Sequence, residues 1–388
     1  MTSLPRVTIV SPNVATNCLG RALLLAELLA GEAQVQIVGI QRGPSIWAPA
    51  LRSKIPVHAH AWHGGVGYAP AAARWLGDIA GDDVMIVSKP LLYSFGLALM
   101  ARKSWRRLII DIDDWETGFA QFGANTAKSK IEAAALRGLT YLRRGAMNAF
   151  VVTRLLEAAA SRVPVRLVSN RWLQRRFGGD LLYHVRNPDV LDPARTVSLP
   201  PMLPRERVWV GFVGTPRPHK GLEILVEAMA RQSGPNAPGL AVIGADPDLD
   251  PGIAYARSRL PPERFRALPP FDFERLWEHV GAVDIIAVPS LDVPASRGQI
   301  PAKVFDALAM AKPVVATAVN DLEDIVEGCG FVVPPAAVTP MADAIARLAA
   351  SSELRARLGQ AGRRKLIERY SYDVGRTVIA NSVRAALR

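Results

Sequence analysis

The sequence predicts an α/β protein of two Rossmann-like domains. Three observations predict it. Short apolar segments with strand character alternate with helical stretches, the pattern of βαβ units and parallel sheets. The pattern stops at a proline-rich segment, "PMLPRERV" at 201–208, and then restarts. The chain has 388 residues, 49% of them hydrophobic and 21% charged, which is too long for one ordinary core and too apolar for disorder.

The first run begins with a strand at "RVTIVSP", residues 6–12. A glycine-containing loop and a helix follow in "NCLGRALLLAELLAG", ending at Gly31. "VQIVGI", "VMIVSKP" at 84–90 and "RLIIDIDD" at 107–114 read as further strands. Residues 126–148 read as helical, and "AFVVT" and "VRLVSN" as strands. After the linker come "VWVGFVG", "GLAVIGAD", "DIIAVPS" and "KPVVAT" as strands. Between them "GLEILVEAMARQ", "FERLWEHVGA" and "PAKVFDALAMA" read as helices. The last stretch, "YSYDVGRTVIANSVRAALR", reads as an amphipathic helix. Open sheets of this kind bind ligands at the carboxyl ends of their strands, so two such halves predict a crevice between them.

Two segments carry candidate chemistry. In "GFVGTPRPHKGLEILVEAM" at 211–229, a strand ends at Gly214, a proline-rich loop follows, and Lys220-Gly221 opens a helix. Backbone N–H groups there, the helix dipole and a lysine ammonium suit a phosphate. The alternative is an ordinary βα loop with a solvated lysine. In "PSLDVPASRGQIPAKVFDALA" at 289–309, a loop with Gly298 leads to Pro301 near a helix start, where proline is tolerated. Backbone amides around Gln299 and Ile300 are expected to face the crevice. Val304, Phe305 and Leu308 are expected inside, with Lys303 and Asp306 sharing the opposite side. The alternative is a surface Lys–Asp pair worth a few tenths of a kcal/mol.

Together these blocks resemble the C-terminal domain of retaining glycosyltransferases of family 4, which have the GT-B fold. The matching residues are Gly214, Lys220-Gly221, Pro289-Ser290, "AKVFDALAMAKPVVAT" and "GFVVPP" at 330–335. "VTIVSPNVATNCLGRALLLAELL" resembles the family's first strand and glycine loop. "VRLVSNRWLQRRF" with "HVRNPDVLDP" resembles its later block, with Asn187-Pro188-Asp189 in place of the usual Asn-Gly. The resemblance implies two Rossmann-like domains facing each other across a cleft. It implies domains at 1–200 and 201–370, with a C-terminal helix, 371–388, crossing back to the first.

The resemblance also implies roles. Asp306 takes the place of the carboxylate that binds the ribose of a nucleotide-sugar donor, through charge-assisted bonds. Lys220 matches the lysine on the donor diphosphate. Thr215 stands where family members have an arginine, and Arg217 is the candidate substitute. Phe271, in "PPFDF", marks the nucleobase contact, made through its backbone, and Gly20 the close approach of backbone to phosphate. The usual first acid of the pair, eight positions before Asp306, is Gly298 here; Asp292 is the nearest other carboxylate. Lys220, Arg217 and Asp114 are the candidate catalytic residues. Gly20, Gly214, Thr215, Lys220, Phe271, Gly298, Gln299, Ile300 and Asp306 are the candidate donor-binding residues. The implied activity is sugar transfer from a nucleotide diphosphate sugar to an acceptor hydroxyl with retention, in polysaccharide, glycolipid or other glycoconjugate synthesis, with no metal or other cofactor. The competing expectation is a catalytically silent relative that binds a nucleotide or glycan, motivated by Gly298 and Thr215.

Other features bound the reading. "IIDIDDWE" at 109–116 sits at a strand end and is open to two readings, acceptor binding or a helix start with solvated acids. Asp113 and Asp114 also raise a metal, which the resemblance does not require. His58, His60 and His63 lack a further ligand at metal spacing. The two cysteines, Cys18 and Cys329, are expected to be reduced and buried. No stretch has signal-peptide or membrane-spanning character. The net charge of +12 is uneven, with 23 basic and 13 acidic residues in 1–190 against 24 and 22 after it. The basic clusters at 102–107, 128–130, 141–144 and 170–176 include aromatic or leucine neighbours. They suggest a cytoplasmic protein docked peripherally on an anionic membrane face, and the alternatives are an acidic acceptor or plain solubility. A nucleic-acid partner is not expected, because no recognition motif accompanies the charge.

Overall fold

The structure, a computed structural model, describes residues 4–64, 67–101, 105–119, 150–196 and 202–388. The chain divides into two compact units: Met1–Tyr183 with Gly375–Arg388, and His184–Val374.

The first unit holds a seven-stranded parallel sheet: β1 (Arg6–Ser11), β2 (Gln34–Gln41), β3 (Val57–Ala61), β4 (Val84–Ser88), β5 (Leu108–Ile112), β6 (Val165–Val168) and β7 (Asp180–Leu181). Their order is β3-β2-β1-β4-β5-β6-β7. The second unit holds β8 (Trp209–Val213), β9 (Gly239–Ile243), β10 (Phe265–Leu268), β11 (Ile285–Val288), β12 (Val314–Thr317) and β13 (Gly330–Val333). Their order is β10-β9-β8-β11-β12-β13. Each sheet starts in the middle, winds to one edge and then to the other. The strand order therefore reverses between β1 and β4, and between β8 and β11, where doubly wound sheets bind ligands. The central strands β4, β5, β8 and β9 are buried along their whole length. That is why they read as unbroken apolar runs rather than alternating ones.

Two expectations about elements are corrected. "AFVVT" is not a strand. Phe150–Ala160 is a helix. Its exposed residues include Val151 and Leu155, and its buried ones are Thr153, Glu157 and Ala160, four and three residues apart. Two apolar residues face out and a carboxylate faces in, so the apolar pattern pointed the wrong way. Glu157 is buried because the backbone N–H and the hydroxyl of Thr117 both donate to it, at 3.0 and 2.7 Å. The second difference is the unit boundary, at 183/184 where the sequence suggests 200/201. Residues after Tyr183 belong to the second unit because its own groups hold them. The Arg186 N–H donates to the Tyr370 carbonyl at 2.9 Å, and Arg363 donates to the carbonyls of Pro188 and Leu191 at 3.1 and 2.9 Å. The C-terminal helix is Tyr372–Leu387, and all but its first three residues fall in the first unit.

Residues 126–148, expected to be helical, lie outside the described residues. So do the basic clusters at 128–130 and 141–144. Among the described residues no helix is long and apolar enough to cross a membrane.

Candidate functional site

In the second unit the candidate residues converge on the carboxyl ends of β8, β9, β10 and β11. Gly214 ends β8 and Gly244 ends β9, both with positive φ, +99° and +92°. They lie so close that a Cβ on Gly244 would sit 3.5 Å from the Gly214 Cα and 3.4 Å from the Phe271 ring. Phe271 follows β10 and stacks on His279, with ring centroids 3.9 Å apart and planes at 15°. The hydroxyl of Thr215 donates to the Gly244 carbonyl at 3.3 Å. The Lys220 ammonium turns back over the loop and donates to the Thr215 carbonyl at 2.8 Å. Gly214, Thr215, Lys220 and Phe271 therefore form one contiguous surface. Arg217 is exposed on the same loop.

The loop is fastened to β11 at a point that demands glycine. Gly221 has φ +67°, and a Cβ there would lie 2.1 Å from the Pro289 carbonyl oxygen. That is far inside any tolerated contact, so the loop reaches the reversal between β8 and β11 only without a side chain. On the far side of that contact the His219 carbonyl accepts from the Leu291 N–H at 2.9 Å and the Ser296 hydroxyl at 3.2 Å. Asn320, itself at positive φ, donates to the carbonyls of Ser296 and Gln299 at 2.8 and 2.5 Å. The sequence reading missed both His219 and Asn320. The adjacency of His219 to Lys220 was the only available signal.

One of the two backbone amides expected to face a ligand is engaged within the protein. The Gln299 N–H donates to the Ser296 carbonyl at 3.2 Å, closing the short helix Pro294–Arg297, whose C-cap is Gly298. The Gln299 side chain bonds His219. Ile300 is buried among the apolar residues. Asp292 is exposed and pairs with Arg297 at 2.7 Å.

Asp306 departs furthest from expectation. It is not on an outward face with Lys303. Its carboxylate is buried and forms an ion pair with Arg186, whose own side chain is 13% exposed. Lys303 also turns inward, its Nζ 3.8 Å from the centroid of the Phe212 ring. Burial and the nearby Lys220 hold Lys303 well below the ordinary lysine range, against the opposing pull of Asp306. Burial, helped by Lys220, lowers His219 from 6.5 to about 4, so its ring is neutral at pH 7. Arg217 and Lys303 add to that shift, and the bond with Gln299 opposes it.

The first unit presents a second cluster where β4 and β5 end. Lys89 follows β4, is buried, and holds φ +70°, a conformation that costs a non-glycine residue of order 1 kcal/mol or more. Its ammonium meets Asp113 at 3.0 Å, Glu116 at 2.9 Å and Asp114. Asp114 is the most open of the three acids, with 17% of its side chain exposed. Burial pushes the Glu116 carboxyl up, with Lys89 pulling the other way. Asp111, two residues before Asp113, is fully buried and takes a two-pronged bond from Arg21 at 3.0 and 2.8 Å. Arg21 also donates to the carbonyls of Leu182 and Tyr183 at 2.8 and 3.1 Å. The reading of "DIDDWE" as solvated acids at a helix start is thereby corrected: these acids are enclosed and paired. Lys89 is the residue that sequence reasoning missed, and its place directly after the β4 apolar run was the available signal.

Gly20 lies at the start of the first helix of that unit. It is the second residue of the helix Leu19–Leu29, and a Cβ there would meet the Trp47 ring at 3.5 Å, an ordinary contact. Cys18, just before it, lies near enough to Lys89 to feel its charge. Cys18 and Cys329 are both free thiols. Of the three histidines in "HAHAWH", His60 bonds the Tyr68 hydroxyl at 2.6 Å and packs edge-on against Trp75. Among the described residues no group of three or more possible ligands is placed to hold a metal.

Residues 207–351, all in the second unit, match the family described as Glycosyl transferases group 1. A stretch of 151 residues is 36% identical to D-inositol 3-phosphate glycosyltransferase of Mycobacteroides abscessus. That stretch is 36% of this chain and 31% of the relative, so the match spans about a third of the relative's length. Solved structures match over nearly the whole chain. Sucrose-phosphate synthase from Thermosynechococcus elongatus superposes with a TM-score of 0.70 at 17% identity, over 98% of both chains. Anabaena HepE in complex with UDP-glucose superposes with a TM-score of 0.72 at 15% identity, over 98% of this chain and 99% of that one. At such identities the likeness carries the fold: two parallel-sheet Rossmann-like units of the GT-B class.

Proposed function

We propose that the protein is a glycosyltransferase that moves a sugar from a nucleotide diphosphate sugar to an acceptor hydroxyl, with retention and without a metal. The observation that carries this reading is the continuous surface Phe271–Gly244–Gly214–Thr215–Lys220 at the strand reversal of the second unit. An aromatic ring and two bare glycine turns accommodate a base, and a lysine ammonium beside them accommodates a diphosphate. The match of residues 207–351 to Glycosyl transferases group 1 falls on the same surface.

In this reading Lys220 meets the negative charge that grows on the leaving diphosphate, so it acts more on turnover than on ground-state binding. Asp306 receives the ribose hydroxyls, and Arg186 holds its carboxylate in place. The first unit binds the acceptor, with Asp114 as the carboxylate nearest solvent in the Lys89 cluster. Retention follows from the resemblance to family 4 and proceeds by front-face attack within an ion-pair-like state. Glycan or lipid-linked acceptors, a cytoplasmic setting and peripheral contact with an anionic membrane belong to the same proposal.

The test is release of nucleoside diphosphate from a panel of nucleotide sugars, UDP-glucose first, with and without inositol phosphate and glycan acceptors, in the presence of chelator. Turnover that survives chelator and falls with Lys220→Ala supports the reading. Loss of activity on chelation, restored by a divalent cation, would overturn the metal-free part. A second reading, a silent nucleotide-binding relative, is favoured by the engagement of Asp306 by Arg186. Tight nucleotide binding with no turnover of any donor would select it.

A further inference from the structure

The Lys89 cluster of the first unit stands at the carboxyl ends of β4 and β5, beside the point where that strand order reverses. Its one ammonium is already taken: it lies 3.0 Å from Asp113 and 2.9 Å from Glu116, and it pairs with Asp114. Three carboxylates around a buried lysine leave the cluster negative. It stays negative if Glu116, whose carboxyl burial pushes up, holds a proton. The neighbouring pair of Arg21 and Asp111 cancels itself. Arg176, over the Trp115 ring, is matched by the buried Glu157 at 4.0 Å. A phosphate or carboxylate brought against Asp114 therefore meets like charge at a largely enclosed place.

Among the described residues, the Ser88 hydroxyl, the Trp115 Nε1–H and the Asn170 Nδ2 group are buried without hydrogen-bond partners. All three border the cluster along the chain. Ser88 precedes Lys89, and Trp115 lies between Asp114 and Glu116. Asn170 follows Ser169, whose hydroxyl donates to the Asp113 carbonyl at 2.7 Å. Buried polar groups are nearly always paired, so unpaired ones gathered at one place mark where the polar groups of a ligand belong. An ionised carboxylate only accepts, and an indole or amide N–H only donates. A hydroxyl does both, so a ring carrying several hydroxyls answers both kinds of group. A phosphate answers the donors alone, and an ammonium the carboxylates alone.

We propose that the end of the acceptor that enters the first unit is an uncharged polyol, a sugar or cyclitol ring without phosphate or carboxylate, selected by Asp114 and Trp115. The proposal rests on the glycosyltransferase reading above and deepens it by naming the charge class of the acceptor. Asp114, the most open of the three acids, accepts from one hydroxyl, and the Trp115 Nε1–H donates to a neighbouring one as the ring seats. Lys89 is a positioning residue that holds the Asp114 carboxylate in place. Any phosphate of a lipid-linked acceptor stays outside this cluster.

The experiment measures release of nucleoside diphosphate from the donor that the panel above finds active, with acceptors matched in pairs: inositol against inositol phosphate, and glucose against glucuronic acid. For the unaltered chain, kcat/KM should favour the neutral member of each pair by about tenfold or more. If the donor is only hydrolysed, the same pairs are compared as inhibitors of that hydrolysis, with the same order expected. Added salt should narrow the ratio, because it screens charge. Asp114→Asn removes the charge and keeps the shape, so it should narrow the ratio to about threefold or less through the acceptor KM, with the donor KM unchanged. Trp115→Phe should raise the KM of the neutral acceptors several-fold. Preference of the unaltered chain for the phosphorylated or carboxylated members would overturn this inference and leave the proposed function standing, and that comparison needs no variant to fold. A neutral preference left at full size by Asp114→Asn would overturn the assignment of the selection to Asp114. Turnover of no donor, with or without acceptor, would overturn the transfer reading itself, and this inference with it.

Discussion

Replacing Asp306 by alanine separates two accounts of the same helix. A carboxylate on an outward face beside Lys303 would be dispensable for folding. The structure instead buries it against Arg186, with 6% and 13% of the two side chains exposed. Removing one partner of a buried pair costs about 3–5 kcal/mol, because the other charge stays buried alone. Arg186 keeps a bond to the Val185 carbonyl at 3.1 Å and a long contact to the His184 carbonyl at 3.5 Å, which softens the loss. The expected destabilisation of Asp306→Ala is therefore about 3 kcal/mol, the low end of that range. Urea unfolding reads it as a fall of roughly 1 M in the midpoint of the affected transition, at unchanged slope. The double variant Arg186→Met/Asp306→Leu should recover most of the loss, since an apolar pair of similar volume carries no desolvation cost. The same substitution should weaken UDP by about 1.5–3 kcal/mol if Asp306 receives ribose hydroxyls. Arg186→Met should weaken that affinity as well, since Arg186 holds the carboxylate in place. A variant Asp306→Ala within about 0.5 kcal/mol of the unaltered chain would refute the buried-pair account, the range of an ordinary surface change.

Three further outcomes are expected. Gly221→Ala places a Cβ 2.1 Å from the Pro289 carbonyl at φ +67°, so it should cost at least about 2 kcal/mol in thermal unfolding and weaken pyrophosphate by moving the Lys220 loop; wild-type behaviour in both would show the close approach to be unimportant. His219 is held at about 4 in the folded protein against 6.5 unfolded, so its neutral ring contributes stability that is complete above pH 6.5 and lost as pH falls toward 4. His219→Asn should therefore flatten the fall of melting temperature across that window, and an unchanged profile would remove His219 from the balance. The basic clusters of the first half should carry the protein to anionic but not neutral vesicles at low salt, less so after replacement of Arg143, Arg144, Arg175 and Arg176; no sedimentation at low salt would leave a soluble acceptor as the better account.

The parts of the fold that were legible in the sequence are those where apolar period and burial agree. β4, β5, β8 and β9 are buried on both faces, so their sequences are unbroken apolar runs. The helix Phe150–Ala160 was not legible, because it buries Thr153 and Glu157 and exposes Val151 and Leu155. The candidate loop was legible at Gly214 and Lys220, whose residue types are tied to local backbone geometry. Asp306 was legible as a significant position but not in its surroundings. Its partner, Arg186, lies 120 residues away, and nothing in either local pattern announces the pair. Lys89 escaped for the same reason: its three acids follow β5, while it follows β4.

The two units share a topology and differ in what they place at the point where the strand order reverses. In the first, a buried lysine after β4 is surrounded by three acids, Asp113, Asp114 and Glu116. That cluster is negative in sum and offers carboxylate oxygens, the acceptors a hydroxyl donates to. In the second, Lys220 and the exposed Arg217 stand on the loop after β8, and the one acid on the helix Lys303–Ala309, Asp306, is engaged by Arg186. That cluster is positive in sum and suits an anion. Equal backbones thus carry opposite fields, set by a few buried side chains and not by the net charge of either half. The first half of the sequence is the more basic one, with a surplus of ten, yet its strand reversal is the acidic one. Among the described residues Arg175 and Arg176 carry part of that surplus on another surface, both exposed. Overall charge therefore reports on what the outside of the first unit meets, and the buried clusters report on what each site binds.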